Sequence, residues 1–206
     1  MAKVDLKKQL KPLYAPSAKA PVLVDVPKMS FLMVDGAGDP NTAPEFQETC
    51  NALYGVAYTL KFSLKKQGGA DFAVMPLEGL WWGEGLRDFL TSDKSDWNWT
   101  LMIALPDFLT VEQVRAAAEQ LKKKKDSPAI GKVRFEAFHE GPAVQILHIG
   151  PYAAEGPTVE RLVQFATEKG YELAGKHHEI YLGDPRRCAP EKLKTILRQP
   201  VRPLQR

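Results

Sequence analysis

The sequence predicts an α+β fold of two similar halves packed about a pseudo-twofold axis, with a ligand cleft where they meet. Three observations lead there. A strand, a turn rich in turn-forming residues, a helix stopped by glycine and a strand with a late glutamate occur between residues 29 and 78, and again between 143 and 179. The helix candidates carry apolar stripes at three- and four-residue spacing, whereas the strand candidates are short and end at Gly, Pro or Asp. Glu78 and Glu179 also hold matching places in the two copies. Junctions of this kind favour pockets.

Residues 1–28 read as an N-terminal arm, with lysines at 3, 7, 8 and 11 and a Pro/Ala segment from Pro12 to Pro21. It is too short for a helix-turn-helix module. Residues 29–206 form the domain, with repeats at about 29–125 and 130–206. Met29–Val34 is a strand, and Asp35–Pro40 its turn. Thr42 and Glu45 spell a capping box, Pro44 lies in the first turn, and Phe46, Cys50, Leu53, Ala57, Leu60 and Leu64 run down one helical face until Gly68–Gly69. Tyr54 and Tyr58 border that face. Phe72–Glu78 reads as an edge strand because Pro76 cannot donate to a ladder. The run Gly79–Gly85 and a strand over Trp97–Leu105 follow, so all four tryptophans, 81, 82, 97 and 99, fall within one hairpin. Thr110 and Gln113 cap a helix that reaches Leu121 and ends in four lysines, which suit the negative helix end.

The second half has a strand over Ala143–Ile149, a turn at Gly150–Tyr152, a helix from Pro157 to Gly170, a strand over His177–Leu182 and a short helix from Pro190 bearing Leu193, Ile196 and Leu197. Along the strand, alternation sets His177, Glu179 and Tyr181 on one face and His178, Ile180 and Leu182 on the other. With the Ile180 face packed on a helix, Glu179 looks into solvent or into a wet, aromatic-lined cavity.

A 206-residue chain with 44% hydrophobic and 26% charged residues is an ordinary globular composition. A net charge of +3, without an arginine-rich helix or zinc-finger spacing, gives no case for nucleic acid. No apolar run reaches the length of a membrane span, and the N-terminus lacks a secretory signal. Two cysteines are too few for a disulfide framework, so the cytoplasm is the expected compartment. His177, Glu179 and Cys188 match no zinc spacing, Cys50 lies on an apolar stripe, and neither metal nor cofactor is expected.

The segment Gln145–Tyr152, Glu155-Gly156-Pro157-Thr158, the run His177–Arg187 and the tail Lys192–Val201 together resemble the GyrI-like small-molecule-binding proteins, in particular their stand-alone subfamily. The resemblance spans about residues 4–201. It implies duplicated strand-helix-strand-strand modules around a central cleft that takes small planar hydrophobic or cationic molecules, with a glutamate matching Glu179 at its floor. It also implies hydrolysis of cyclopropane-containing DNA-alkylating compounds in an aromatic cage, as in cyclopropanoid cyclopropyl hydrolases. On that reading Glu179, Tyr152 and Tyr181 are the candidate catalytic residues. Trp81, Trp82, Trp97, Trp99, Tyr54, Tyr58, Glu78, His148 and His177 are the candidate ligand-binding residues. A non-catalytic binder that sequesters drugs is the alternative, and a topoisomerase interaction ranks behind both. Read without the family, Glu179 is an ordinary solvated strand carboxylate, and the tryptophans are packing.

Overall fold

The computed structural model describes residues 3–83 and 94–204. Two short helices, α1 (Leu6–Gln9) and α2 (Lys11–Tyr14), lead into the long strand β1 (Val22–Ala37). Helix α3 (Pro44–Lys66), strands β2 (Leu77–Trp82) and β3 (Asn98–Leu105), and helices α4 (Val111–Lys122) and α5 (Pro128–Lys132) complete the first half. The second half holds β4 (Arg134–Ile149), α6 (Gly156–Glu168), β5 (Tyr171–Leu173), β6 (His177–Tyr181) and β7 (Lys194–Pro203).

All strand pairs are antiparallel. The order β4-β1-β3-β2-β6-β7 closes through a β4–β7 pairing into a six-stranded barrel, and β5 adds to the far end of β7. Closure removes open edges. Each strand therefore has one face toward the lumen and one toward the helices. Val144, Ile146, Leu197 and the α6 residues Val159, Leu162 and Ala166 form one core, and α3 closes the larger one over β1 and β3.

Several elements depart from the sequence reading. The first strand starts at Val22 rather than Met29, and α2 buries Leu13 and Tyr14, so much of the expected arm is packed structure. Ala43 and not Thr42 precedes α3, with no side-chain cap; Glu45 instead pairs with Lys132 at 2.5 Å. The strand expected at Phe72–Glu78 starts only after Pro76, runs through the tryptophan pair and lies between β3 and β6 rather than at an edge, because Pro76 falls outside it. The short helix expected from Pro190 is one 3-10 turn, and Ile196 and Leu197 belong to β7, where they pair with both β4 and β6. The Thr110/Gln113 capping box is present in both directions.

Glycine makes room for one indole. A Cβ at Gly36 would sit 2.1 Å from the Trp99 ring, which is fully buried over β1. Gly36→Ala is expected to cost roughly 1–3 kcal/mol by overpacking, read as a lower denaturation midpoint at unchanged m-value.

Candidate active site

β6 lies between β2 and β7, with Glu179 directly opposite Gly79 on one side and Leu197 on the other. The faces run opposite to the sequence expectation. His178 and Ile180 point into the lumen, because His178 bonds to Glu140 of β4, a strand that is not its neighbour. His177, Glu179 and Tyr181 lie on the helix-covered face, on which Trp81 and Trp99 pack against Phe46 of α3.

On that face the Glu179 side chain is mostly buried, 15% exposed. Tyr181 donates to Glu179 Oε2 at 2.7 Å and accepts from Trp81 Nε1 at 3.0 Å. Gly79 makes this relay fit: a Cβ there would meet Trp81 Nε1 at 2.8 Å and the Tyr181 hydroxyl at 3.2 Å. Tyr152 meets Tyr181 edge-on at 5.7 Å, and Trp97 meets Trp81 edge-on at 5.5 Å. His177 Nε2 lies 3.6 Å from Glu179 Oε1, while Nδ1 is 3.3 Å from Gln199 Oε1. Burial, opposed by Gln199, pushes His177 down to about 4, so it is a neutral neighbour at physiological pH.

Glu155 joins this group, although its sequence position gave no hint of a role beyond the family motif. It precedes α6 in a buried position. Burial comes first in raising both carboxyl groups. Repulsion from Glu179 adds to it at Glu155, whereas Tyr181 and Lys94 oppose it at Glu179, and Thr195 and Lys94 oppose it at Glu155. The two titrate together, in the range of about 7 to about 9. Beside them, Thr195 stands between His148 and Tyr181 in the strand register. Among the described residues, Glu155 Oε1, Thr195 Oγ1 and His148 Nε2 are buried without a full hydrogen bond, although Thr195 lies close enough to Glu155 to lower its pKa and the Pro151 backbone close enough to His148 to work against the effect of burial there. Buried polar atoms of this kind call for a water or a ligand group. His148 Nδ1 is held by Thr158 Oγ1 at 3.0 Å, and Nε2 lies against the Gly150–Pro151 turn.

Other residues named from sequence lie elsewhere. Glu78 is fully buried in the lumen, bonded to Tyr14 at 2.9 Å and His178 at 3.0 Å. Trp82 is at the lumen mouth under the Lys176 ammonium. Trp99 is sealed in the core against Gly36. Tyr54 accepts from the Leu77 amide and so flanks the site, and Tyr58 is 45% exposed in a stack with Tyr54 and Phe62. A cavity of about 560 Å³ opens at the lumen mouth, on the other face of the sheet from Glu179. No group of three or more potential metal ligands, and no helix long and apolar enough to cross a membrane, occurs among the described residues.

The fold recurs in known proteins. An uncharacterized conserved protein from Listeria innocua is 45% identical, with a TM-score of 0.90 over 97% of this chain and 100% of that one. A hydrolase from Listeria innocua is 43% identical at a TM-score of 0.86, covering 97% and 100% of the two chains. A second hydrolase from that organism is 42% identical at 0.88, covering 98% and 100%. The EcmrR C-terminal domain, 14% identical at a TM-score of 0.57 over 89% of this chain and 98% of that one, shares the fold. No curated protein matches the chain in sequence. The model of the GyrI-like small molecule binding domain matches residues 19–202, and the chain therefore belongs to the GyrI-like family.

Proposed function

We propose that the protein is a hydrolase of small planar molecules, its substrates being cyclopropane-containing DNA-alkylating compounds and Glu179 the general base. The observation that carries this is the pair Glu155/Glu179, each raised by burial, with Glu179 held by Tyr181 among the rings of Trp81 and Tyr152 and with the polar side chains of Thr195 and His148 at hand. A carboxylate raised toward neutrality by burial is matched to proton abstraction near physiological pH. The Tyr181 phenol, held by Trp81, fixes its orientation. Ionised Glu179 takes a proton from water as the oxygen attacks the unsubstituted cyclopropane carbon. The carbon–carbon bond breaks, and its electron pair passes through the conjugated dienone to the carbonyl oxygen. Tyr152 or His148 serves there as donor, a contribution of about 2.7–4 kcal/mol. The rings hold the flat substrate, each adding about 0.5–1.5 kcal/mol beyond its buried area.

Two structurally similar relatives being hydrolases supports this assignment. The pairings β1–β3–β2 and β4–β7–β6 follow one pattern, which supports reading the halves as copies of one module about a pseudo-twofold axis. On this reading residues 29–125 and 130–206 are the copies, and the cytoplasm is where the protein meets its substrates.

Multiple-turnover release of ring-opened product from a cyclopropanoid tests the assignment; tight binding without product would make the protein a sequestering binder instead. The rate should also rise with pH through about 7, as Glu179 loses its proton. A flat profile across neutrality would remove Glu179 as the base.

A further inference from the structure

The cavity at the lumen mouth plays no part in the chemistry above, yet at about 560 Å³ it is within the size range of small-molecule sites. Its apolar wall comes from Met33, Leu80, Trp82 and Phe138. The charged groups around it are nearly all satisfied by one another. Arg134 spans Asp35 at 2.8 Å and Glu136 at 3.0 Å, and Asp35 also accepts from Thr100 at 2.6 Å. At the floor, Glu140 is bound by His178 at 2.9 Å and Arg198 at 3.1 Å. Lys176 is the exception. Among the described residues no carboxylate lies within ion-pairing distance of it, and its ammonium rests 3.2 Å from the centre of the Trp82 ring.

Gly175, at φ +60 and packed on Pro200, sets the turn that delivers Lys176 to this position. Burial, despite the help of Asp35 and reinforced by Arg134, holds the Lys176 pKa below the ordinary lysine value, so the cation is under-compensated where it stands. A cationic ligand would meet Lys176 and Arg134 at the entrance, while Arg134 already takes Asp35 Oδ1 and Glu136 Oε1, and His178 and Arg198 hold Glu140 at the floor. An anion meets the opposite balance.

We propose that the lumen mouth is a second ligand site, separate from the Glu179 face, which binds planar aromatic carboxylates with the ring against Trp82 and Phe138 and the carboxylate on Lys176. An ammonium–carboxylate contact of this kind is charge-assisted, and its removal weakens binding roughly tenfold or more.

The test is isothermal titration calorimetry with three compounds of one ring system: 2-naphthoate, its neutral amide, and 2-naphthylmethylammonium. The wild type should bind one naphthoate per chain, roughly tenfold more tightly than the amide. Lys176→Met should bring naphthoate to the level of the amide. Because this side chain is half-exposed, the variant's thermal melt should match the wild type and separate lost binding from lost fold. Glu179→Gln should leave naphthoate binding unchanged, which keeps this site distinct from the proposed hydrolase site whether or not the latter is active. No binding of naphthoate, tighter binding of the ammonium compound, a preference for the anion that survives Lys176→Met, or its loss in Glu179→Gln would each overturn the proposal.

Discussion

Glu179→Gln should lower turnover of a cyclopropanoid by at least about a hundredfold while the protein stays folded, since a positioned general base contributes about 10²–10⁴ in rate. Gln keeps the shape of the side chain and can still accept from Tyr181, so the loss reports the missing base and not a collapsed site. Stability supplies an independent readout. Glu179 has a folded-state pKa of about 7, above the ordinary glutamate value of 4.5, so the native state holds the proton more tightly than the unfolded chain. Wild-type stability therefore falls as pH rises from about 4.5 through about 7, and Glu179→Gln should reduce that fall. Denaturant titrations of both proteins at the two ends of that window would show it. A variant that loses activity and also melts early at every pH would point to a structural role instead.

Arg198→Met should be among the most destabilising single changes in the protein, by about 3–5 kcal/mol, because it leaves a buried carboxylate short of a partner. In the lumen the Arg198 guanidinium donates to Glu140 Oε2 at 3.1 Å, Gln145 Oε1 at 3.0 Å and the Leu13 carbonyl at 2.8 Å. His178 has Nδ1 2.9 Å from Glu140 and Nε2 3.0 Å from Glu78, so each nitrogen faces a carboxyl group, an arrangement that favours the protonated ring. Burial works against that charge, but Glu140 and Glu78 overcome it and raise the His178 pKa. Glu78, Glu140, His178 and Arg198 thus form one network within the barrel, to which Tyr14 and Leu13 tie the N-terminal segment, with Pro12 held by the neighbouring Gln145. Burial would raise the pKa of Glu140, yet His178 and Arg198 hold it at about 2. Its stabilisation is complete above about pH 4.5 and should be lost as pH falls toward about 2. Replacing Glu140 and Arg198 together, by Gln and Met, should cost less than the sum of the single changes; additive costs would mean the pair is not coupled.

How far the sequence disclosed this arrangement differs from residue to residue. Glu179 stood out because the run His177–Arg187 matches the family's glutamate-bearing strand, and alternation correctly grouped it with Tyr181 and His177. Alternation cannot say which face is covered by helices, and here the lumen is narrow enough for side chains from β6 and β4 to bond across it. That is why Ile180 points inward and Glu78, the counterpart by order, is on the opposite face from Glu179. Its own β2 register, with Glu78 opposite Ile180 and Gly79 opposite Glu179, settles the matter. The polar stretch Glu136 to Pro142 concealed half of β4, because Glu140 is inward-facing only with Arg198 and His178 as partners. Ile196 and Leu197 fit a helical spacing as well as a strand, an ambiguity that short apolar runs carry. Glu155 was legible only as part of a family motif; what makes it chemically interesting is a buried position beside Glu179, created by the close of β4 against β7.

The most direct test of where the chemistry occurs is a crystal structure of the Glu179→Gln protein soaked with an intact cyclopropanoid. The proposed mechanism predicts the planar ring system bounded by Trp81, Trp97, Tyr152 and Tyr181, with the unsubstituted cyclopropane carbon nearest residue 179. Density for the compound at the lumen mouth by Lys176, or on the outer face of α3 by Tyr58, with the Glu179 face unchanged, would contradict it.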